Sequence, residues 1–166
     1  MATCFPPLVA ADAKVLILGS FPGIMSLQKQ EYYAHPRNAF WFIIQTVLGL
    51  KGVRSYAERV EALMAHCIAL WDVLATCQRE GSLDSSIDGK SICVNDFGQF
   101  FRQYPGIRRV CFNGVKAEQE YRRRVLRAIG ANTLQYCRLP STSPAMAMLS
   151  REAKLARWSE IVEYLR

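Results

Sequence analysis

The sequence has no cysteine pair at CxxC spacing, no Walker A or GxGxxG glycine pattern, and no apolar run near the roughly 20 residues of a membrane-spanning helix. Each absence removes a class of protein. The six cysteines, Cys4, Cys67, Cys77, Cys93, Cys111 and Cys137, are scattered, against a zinc ribbon, an iron–sulfur cluster or a disulfide scaffold. Most lie in apolar stretches, where a reduced cysteine behaves as a small hydrophobe. No charged segment leads into an apolar one at the N-terminus, so a cytoplasmic location is expected. A nucleophile elbow needs Ser at the centre of GxSxG, but in GSFPG (19–23) that place is Phe21. With no Ser-His-Asp pattern beside it, a serine hydrolase is disfavoured.

What is present is the composition of a globular chain. Its 166 residues are 51% hydrophobic, with a mean hydropathy of +0.02, and suit one domain spanning 1–166. The net charge of +7 favours an anionic partner, of which nucleic acid is the commonest. Much of the excess sits in Arg108, Arg109, Arg122, Arg123, Arg124 and Arg127, a group read here as a solvated face.

The hydrophobic pattern alternates strands with helices. Residues 1–13 are too irregular for an element. Val15–Leu18 is a continuous apolar run ended by Gly19, as in a strand buried on both faces. Asn38 is placed as a helix N-cap, followed by Phe40, Ile43, Ile44, Val47 and Leu48 at helical spacing and stopped by Gly49 and Gly52. Val53–Met64 follows as a second helix. Cys67–Leu74 is an apolar run broken by Asp72, and Gln78–Asp88 is polar enough for a surface loop. Ser91–Val94 reads as a short edge and Phe97–Tyr104 as a helix stopped by Pro105-Gly106. Arg109–Phe112 is a strand, Val115–Ile129 a basic helix, Leu134–Leu139 the last strand, and Leu155, Trp158, Val162 and Leu165 stripe a closing helix.

Right-handed crossovers then build a parallel sheet of about four strands with helices on both faces. Three polar breaks follow strands: GSFPG, the Asp72 neighbourhood and PSTSPA (140–145). They are expected to converge on one cleft beyond the strand ends, where open α/β sheets bind ligands. The glycine-bounded turn allows a close approach to backbone, or is a tight connection only. Ser141, Thr142 and Ser143 between two prolines offer hydroxyls and amides suited to phosphate oxygens; the plainer alternative is a strand-to-helix loop with a serine cap.

GSFPG, then YYAHPRNAFW (32–41), then LPSTSPA (139–145) resemble the uracil-DNA glycosylase superfamily, and most of all its hypoxanthine-DNA glycosylase branch. The resemblance runs from about Lys14 to Ala147, with three motifs in order. It implies a three-layer α/β/α sandwich with a central parallel four-stranded sheet, in agreement with the pattern above. It implies base flipping followed by hydrolysis of the N-glycosidic bond, leaving an abasic site. Classical uracil enzymes carry Asp at the third place of the first motif, and the mismatch-specific branch carries Asn. Phe21 stands there in this sequence and can neither activate nor hold a water. In the hypoxanthine branch the catalytic role falls to the Asn of PRN-x-FW, here Asn38.

The same resemblance distributes the remaining roles. Asp72 stands where the superfamily has an Asn that reads the edge of the extruded base. A carboxylate there accepts from hypoxanthine N1–H or uracil N3–H, whereas adenine offers an acceptor at N1; otherwise Asp72 only caps a loop. Gly19, Phe21, Tyr32, Tyr33 and Trp41 are candidates to surround the base. Ser20, Pro22, Gly23, Ser141, Thr142 and Ser143 are placed on the DNA backbone, and Met146, with Met148, at the intercalating wedge or else in ordinary packing. Phe40 and Trp41 could equally be core, and core is preferred for Phe40. His35 either assists the leaving base or contacts backbone or phosphate, since Leu139 occupies the place of the superfamily's catalytic His. No metal or organic cofactor is implied, no lysine is placed for lyase chemistry, and a monomer acting on DNA is expected. The rival readings are a uracil- or mismatch-directed glycosylase and a non-catalytic module that binds damaged DNA.

Overall fold

In a computed structural model, residues 1–52, 54–78 and 87–166 are described. Four strands make the central sheet: β2 (Val15–Gly19), β3 (Ile68–Asp72), β6 (Arg109–Asn113) and β7 (Gln135–Leu139). They run in the order β3-β2-β6-β7, and every neighbouring pair is parallel. This is the expected parallel sheet, and β2 is buried along its whole length.

Alternation along the strands feeds two cores, because successive side chains leave opposite faces of a sheet. Leu16, Leu18, Ala69, Trp71, Val110 and Phe112 face one layer, packed by Phe97 and Phe100 of α4 (Phe97–Gln103). The same layer holds Ala117 of α5 (Val115–Glu120), and Tyr121 and Val125 of the π turn Tyr121–Val125 that leads into α6 (Leu126–Ile129). Val15, Ile17, Ile68, Leu70 and Cys111 face the other layer. There they meet α2 (Phe40–Val47), α3 (Tyr56–Ala65), α7 (Arg151–Trp158) and α8 (Ile161–Tyr164). The result is the three-layer α/β/α sandwich.

Several local expectations are corrected. The lead-in is not structureless: β1 (Ala2–Thr3) pairs antiparallel with β4 (Leu74–Cys77), which also pairs with β5 (Cys93–Val94) to make a small second sheet. The apolar run after Cys67 therefore holds two strands that turn at Val73. A short helix, α1 (Ile24–Lys29), follows GSFPG, with Gly23 at its N-cap. Asn38 precedes the assigned N-cap of α2, Ala39, by one residue, yet its Oδ1 still accepts from the Phe40 amide at 3.0 Å. The second helix begins at Tyr56, where the Ser55 hydroxyl caps Glu58 N–H at 3.2 Å, and Val53 lies outside the described residues. Most of the expected Gln78–Asp88 loop, 79–86, lies outside them too. The closing helix is two helices, α7 and α8, broken at Ser159.

Candidate active site

The C-terminal ends of all four parallel strands open into one cleft of about 980 Å³. Gly19 ends β2, Asp72 ends β3, Asn113 ends β6 and Leu139 ends β7, and all four line it. β2 lies between β3 and β6, so the chain leaves it in one direction and returns on its other side, the arrangement that opens a crevice beyond the strand ends. The three polar breaks meet there as expected.

The first wall is the turn Gly19–Gly23. Val73 N–H donates to the Gly19 carbonyl at 2.9 Å, and Leu74 N–H to the Ser20 carbonyl at 3.1 Å. These bonds lock the turn against the Asp72 turn. A Cβ on Gly19 would lie 2.6 Å from Asp72 Oδ1 and 2.8 Å from Tyr33 Oη. The missing side chain is what lets a carboxylate and a phenol meet over the strand end. Phe21 lines the cleft and also belongs to the core beside Leu18 and Trp71. Asp72 is only 3% exposed. Asn95 braces its backbone, Nδ2 donating to the Asp72 carbonyl at 2.7 Å.

The second wall is the strap 31–38. Tyr32 Oη donates to the Pro6 carbonyl at 3.0 Å, and its own amide donates to Tyr56 Oη at 3.1 Å. Burial, with the Asp72 charge adding to it, pushes the Tyr32 phenol far above its usual range, so it stays a neutral wall. Tyr33 adopts a left-handed φ of 54° and stacks on Phe40 at 4.1 Å. A bulky residue in this region costs about 1–3 kcal/mol, which packing against Phe40 helps to offset. His35 Nδ1 accepts from Arg37 N–H at 3.1 Å, so a neutral His35 carries its proton on Nε2. Asn38 N–H donates to the His35 carbonyl at 2.9 Å. With its Oδ1 turned to Phe40, Asn38 has its Nδ2 as the remaining donor.

The third wall is PSTSPA, a loop held from beneath. Asn113 makes a two-way clamp, Nδ2 donating to Thr142 Oγ1 at 3.0 Å and Oδ1 accepting from Thr142 N–H at 2.9 Å. The Thr142 carbonyl accepts from Ala39 N–H at 3.0 Å, tying the loop to the residue after Asn38. Trp158 Nε1 donates to the Pro140 carbonyl at 2.8 Å. Lys154, 4% exposed, donates to the Ser143 carbonyl at 3.1 Å, and burial lowers its pKa. Gly114 has φ 93°, and a Cβ there would approach Ser141 Cβ to 2.9 Å. Thr142 is therefore spent on structure, whereas Ser141 and Ser143 remain partly exposed along the cleft.

The placements divide the expected residues. Gly19, Ser20, Phe21, Pro22, Gly23, Tyr32, His35, Asn38, Asp72, Ser141, Thr142, Ser143 and Met146 all line the cleft. Trp41 does not. It lines a separate recess of about 530 Å³ on the far side of the strap, donates Nε1–H to the Tyr32 carbonyl at 2.8 Å and packs edge-on against Tyr56. It supports the wall from behind. Met148 is also outside the lining and is 90% exposed. Sequence reasoning missed Asn95, Asn113 and Lys154, which act through tertiary bonds that no local spacing announces.

The charge of the cleft is cationic. Arg37, Lys116, Arg138 and Arg157 line it, against Asp72 as the one lining carboxylate among the described residues. Lys116 pairs with Glu120 at 2.9 Å and Arg138 with Glu118 at 3.2 Å; among the described residues Arg37 and Arg157 make no ion pair. On the outer helix, Arg122 and Arg124 pair with Glu118 and Glu120 at 2.9 and 2.5 Å. Part of the basic group is thus neutralised locally. Chemically, the cleft can hold a planar ring against Phe21 and Tyr32, accept one N–H at a buried carboxylate, orient a water at an amide, and attract phosphate.

Known proteins resemble the chain over nearly its full length. A sequence profile of the Uracil DNA glycosylase superfamily matches residues 6–166. A hypoxanthine DNA glycosylase of Methanosarcina barkeri is 35% identical over 158 residues, 94% of each chain. One from Methanosarcina acetivorans is 36% identical over 162 residues, covering 96% of this chain and 97% of the relative. The solution NMR structure of a candidate uracil DNA glycosylase from Methanosarcina acetivorans matches with a TM-score of 0.80 and 34% identity, over 97% of this chain and 96% of that one. With sequence and fold in agreement over nearly the whole chain, the chain belongs to the uracil DNA glycosylase superfamily.

Proposed function

We infer that this chain is a monofunctional DNA glycosylase that flips a deaminated base, hypoxanthine foremost, into the strand-end cleft and hydrolyses its N-glycosidic bond. The observation that carries the reading is the meeting of Asn38, Asp72 and the Ser141–Ser143 loop around one cationic cleft. The family and the curated relatives named above support it.

The extruded base lies against Phe21 and Tyr32, with Gly19 and Tyr33 closing its edge. Asp72 accepts the N1–H of hypoxanthine. Adenine places a lone pair there and leaves a buried carboxylate facing an acceptor, a loss of roughly 1–3 kcal/mol. Asn38 holds a water against C1′ while the bond from C1′ to the base lengthens and positive charge gathers on the sugar. The C1′–oxygen bond then forms and the C1′–nitrogen bond breaks, the base departs with its electron pair, and the proton shed by the attacking water is balanced by the one the base takes up as free hypoxanthine. An amide orients water without removing its proton, so the enzyme forgoes the roughly 10²–10⁴-fold of a general base. His35, whose Nε2–H remains a donor, faces either the departing base or a phosphate. Ser141 and Ser143, with the amides of Ser20 and Gly23, grip the backbone. Met146 or the exposed Met148 enters the gap left in the duplex. A monomer suffices for these roles, since all of them lie on one chain.

Duplexes carrying inosine, uracil or xanthine at one site, incubated separately with the enzyme, test the assignment. Fastest release of hypoxanthine is expected. Preferred release of uracil would favour a uracil-directed enzyme, and tight binding without release of any base would leave only a damage-binding module.

A further inference from the structure

Cys111 of β6 and Cys137 of β7 are register partners in the parallel sheet. Their Sγ atoms lie 3.1 Å apart although the residues are 26 positions apart in sequence. Neither lines the cleft, and hydrolysis of the glycosidic bond uses neither. Cys111 is buried, whereas Cys137 is partly exposed. Neighbouring strands stand roughly 4.8 Å apart, within the Cα separation of about 4.4–6.8 Å that disulfides span. The two sulfurs need to close by only about 1 Å to reach a bond of ~2.05 Å.

We propose that Cys111 and Cys137 form an oxidative modification site, a dithiol that hydrogen peroxide converts into an intrachain disulfide. Cys137 is the attacking thiol. The Cys111 thiol beside it favours its thiolate, while the same contact and then burial push Cys111 up. Its partial exposure also gives the oxidant access. Cys137 Sγ attacks one peroxide oxygen, forming an S–O bond and breaking O–O, and the departing hydroxide takes the thiol proton as water. Cys111 Sγ then attacks the Cys137 sulfur. The S–S bond forms, the S–O bond breaks, and hydroxide leaves with the Cys111 proton as a second water. The two thiols lose two electrons and two protons, and the peroxide becomes two waters. The bond joins the strand that ends at Asn113 to the strand that feeds PSTSPA, two positions below each strand end.

The reduced full-length protein, treated with hydrogen peroxide, denatured in an alkylating agent and weighed intact, tests this. The expected product is a chain lighter by two hydrogens before alkylation, with Cys111 and Cys137 protected together and recovered in one cross-linked peptide. Cys137→Ser abolishes that peptide. Three results overturn the proposal: both cysteines still alkylated once the exposed Cys93 is oxidised, Cys137 driven to sulfinic acid with Cys111 unmodified, or a disulfide joining other cysteines. The wild-type peptide map decides the matter even if the variant does not fold.

Discussion

Asp72 closes β3 with its side chain almost wholly buried, and burial is what would let one carboxylate select the base in the proposed reaction. In water, a mismatched partner would be replaced by solvent; here the mismatch remains and costs free energy. Asp72→Asn supplies an amide that can offer a donor as well as an acceptor. The ratio of hypoxanthine to adenine release should fall by roughly 10- to 10²-fold, measured under single-turnover conditions on matched duplexes. An unchanged ratio would return Asp72 to a structural role. At this scale the sequence was informative wherever a motif residue itself faces the cleft, as Phe21 and Asn38 do. It left Trp41 open between stacking and core, and Trp41 stands behind the wall, bonded to the Tyr32 carbonyl. It was silent on Asn113 and Asn95, whose partners Thr142 and Asp72 are remote in sequence.

At the scale of elements, helices and strands with long periodic patterns were legible, and short ones fixed by their neighbours were not. α2 and the strands of the central sheet follow from apolar periodicity. β1 has two residues and exists because β4 offers it an edge; α1 has six residues and a glycine N-cap. The basic helix was read as a solvated face, and its i,i+4 pairs to Glu118 and Glu120 favour that reading in part. Glu120 shows how such a helix depends on pH. Burial pushes its carboxyl up, but bonds from Lys116 and Arg124 outweigh this and the net shift is downward. A depressed folded-state pKa means that Glu120 stabilises the fold above the ordinary carboxylate range and ceases to do so as pH falls through its own lower value. Glu120→Gln should therefore lower the melting temperature at neutral pH, and the gap from wild type should narrow under acid. Calorimetry across that range checks it; a gap that widens on acidification contradicts it.

For the whole molecule, the position of charge matters more than its amount. The net +7 is divided between a paired outer helix and a cleft whose Arg37 and Arg157 make no ion pair among the described residues. A phosphate contact releases counterions, so each lost contact should reduce the slope of log affinity against log salt by about one. Arg37→Gln or Arg157→Gln should do so. Arg122→Gln and Arg123→Gln should leave the slope as it is, and a drop there would place the outer helix on DNA. The cleft itself could be foreseen, because four parallel strands must end on one side of the sheet. The bonds that brace its walls could not, since those that hold PSTSPA come from α7, β6 and Ala39 together.

That Asn38, with Phe21 in the place of a motif carboxylate, carries the hydrolysis is the proposal on which the mechanism rests. It is tested most directly by quantifying free hypoxanthine released from an inosine-containing duplex by wild type and by Asn38→Ala, with DNA binding measured in parallel. Wild type should release the base, and Asn38→Ala, which loses the positioned water, should bind as tightly while releasing it roughly 10²-fold more slowly. Wild-type release by Asn38→Ala would contradict the account.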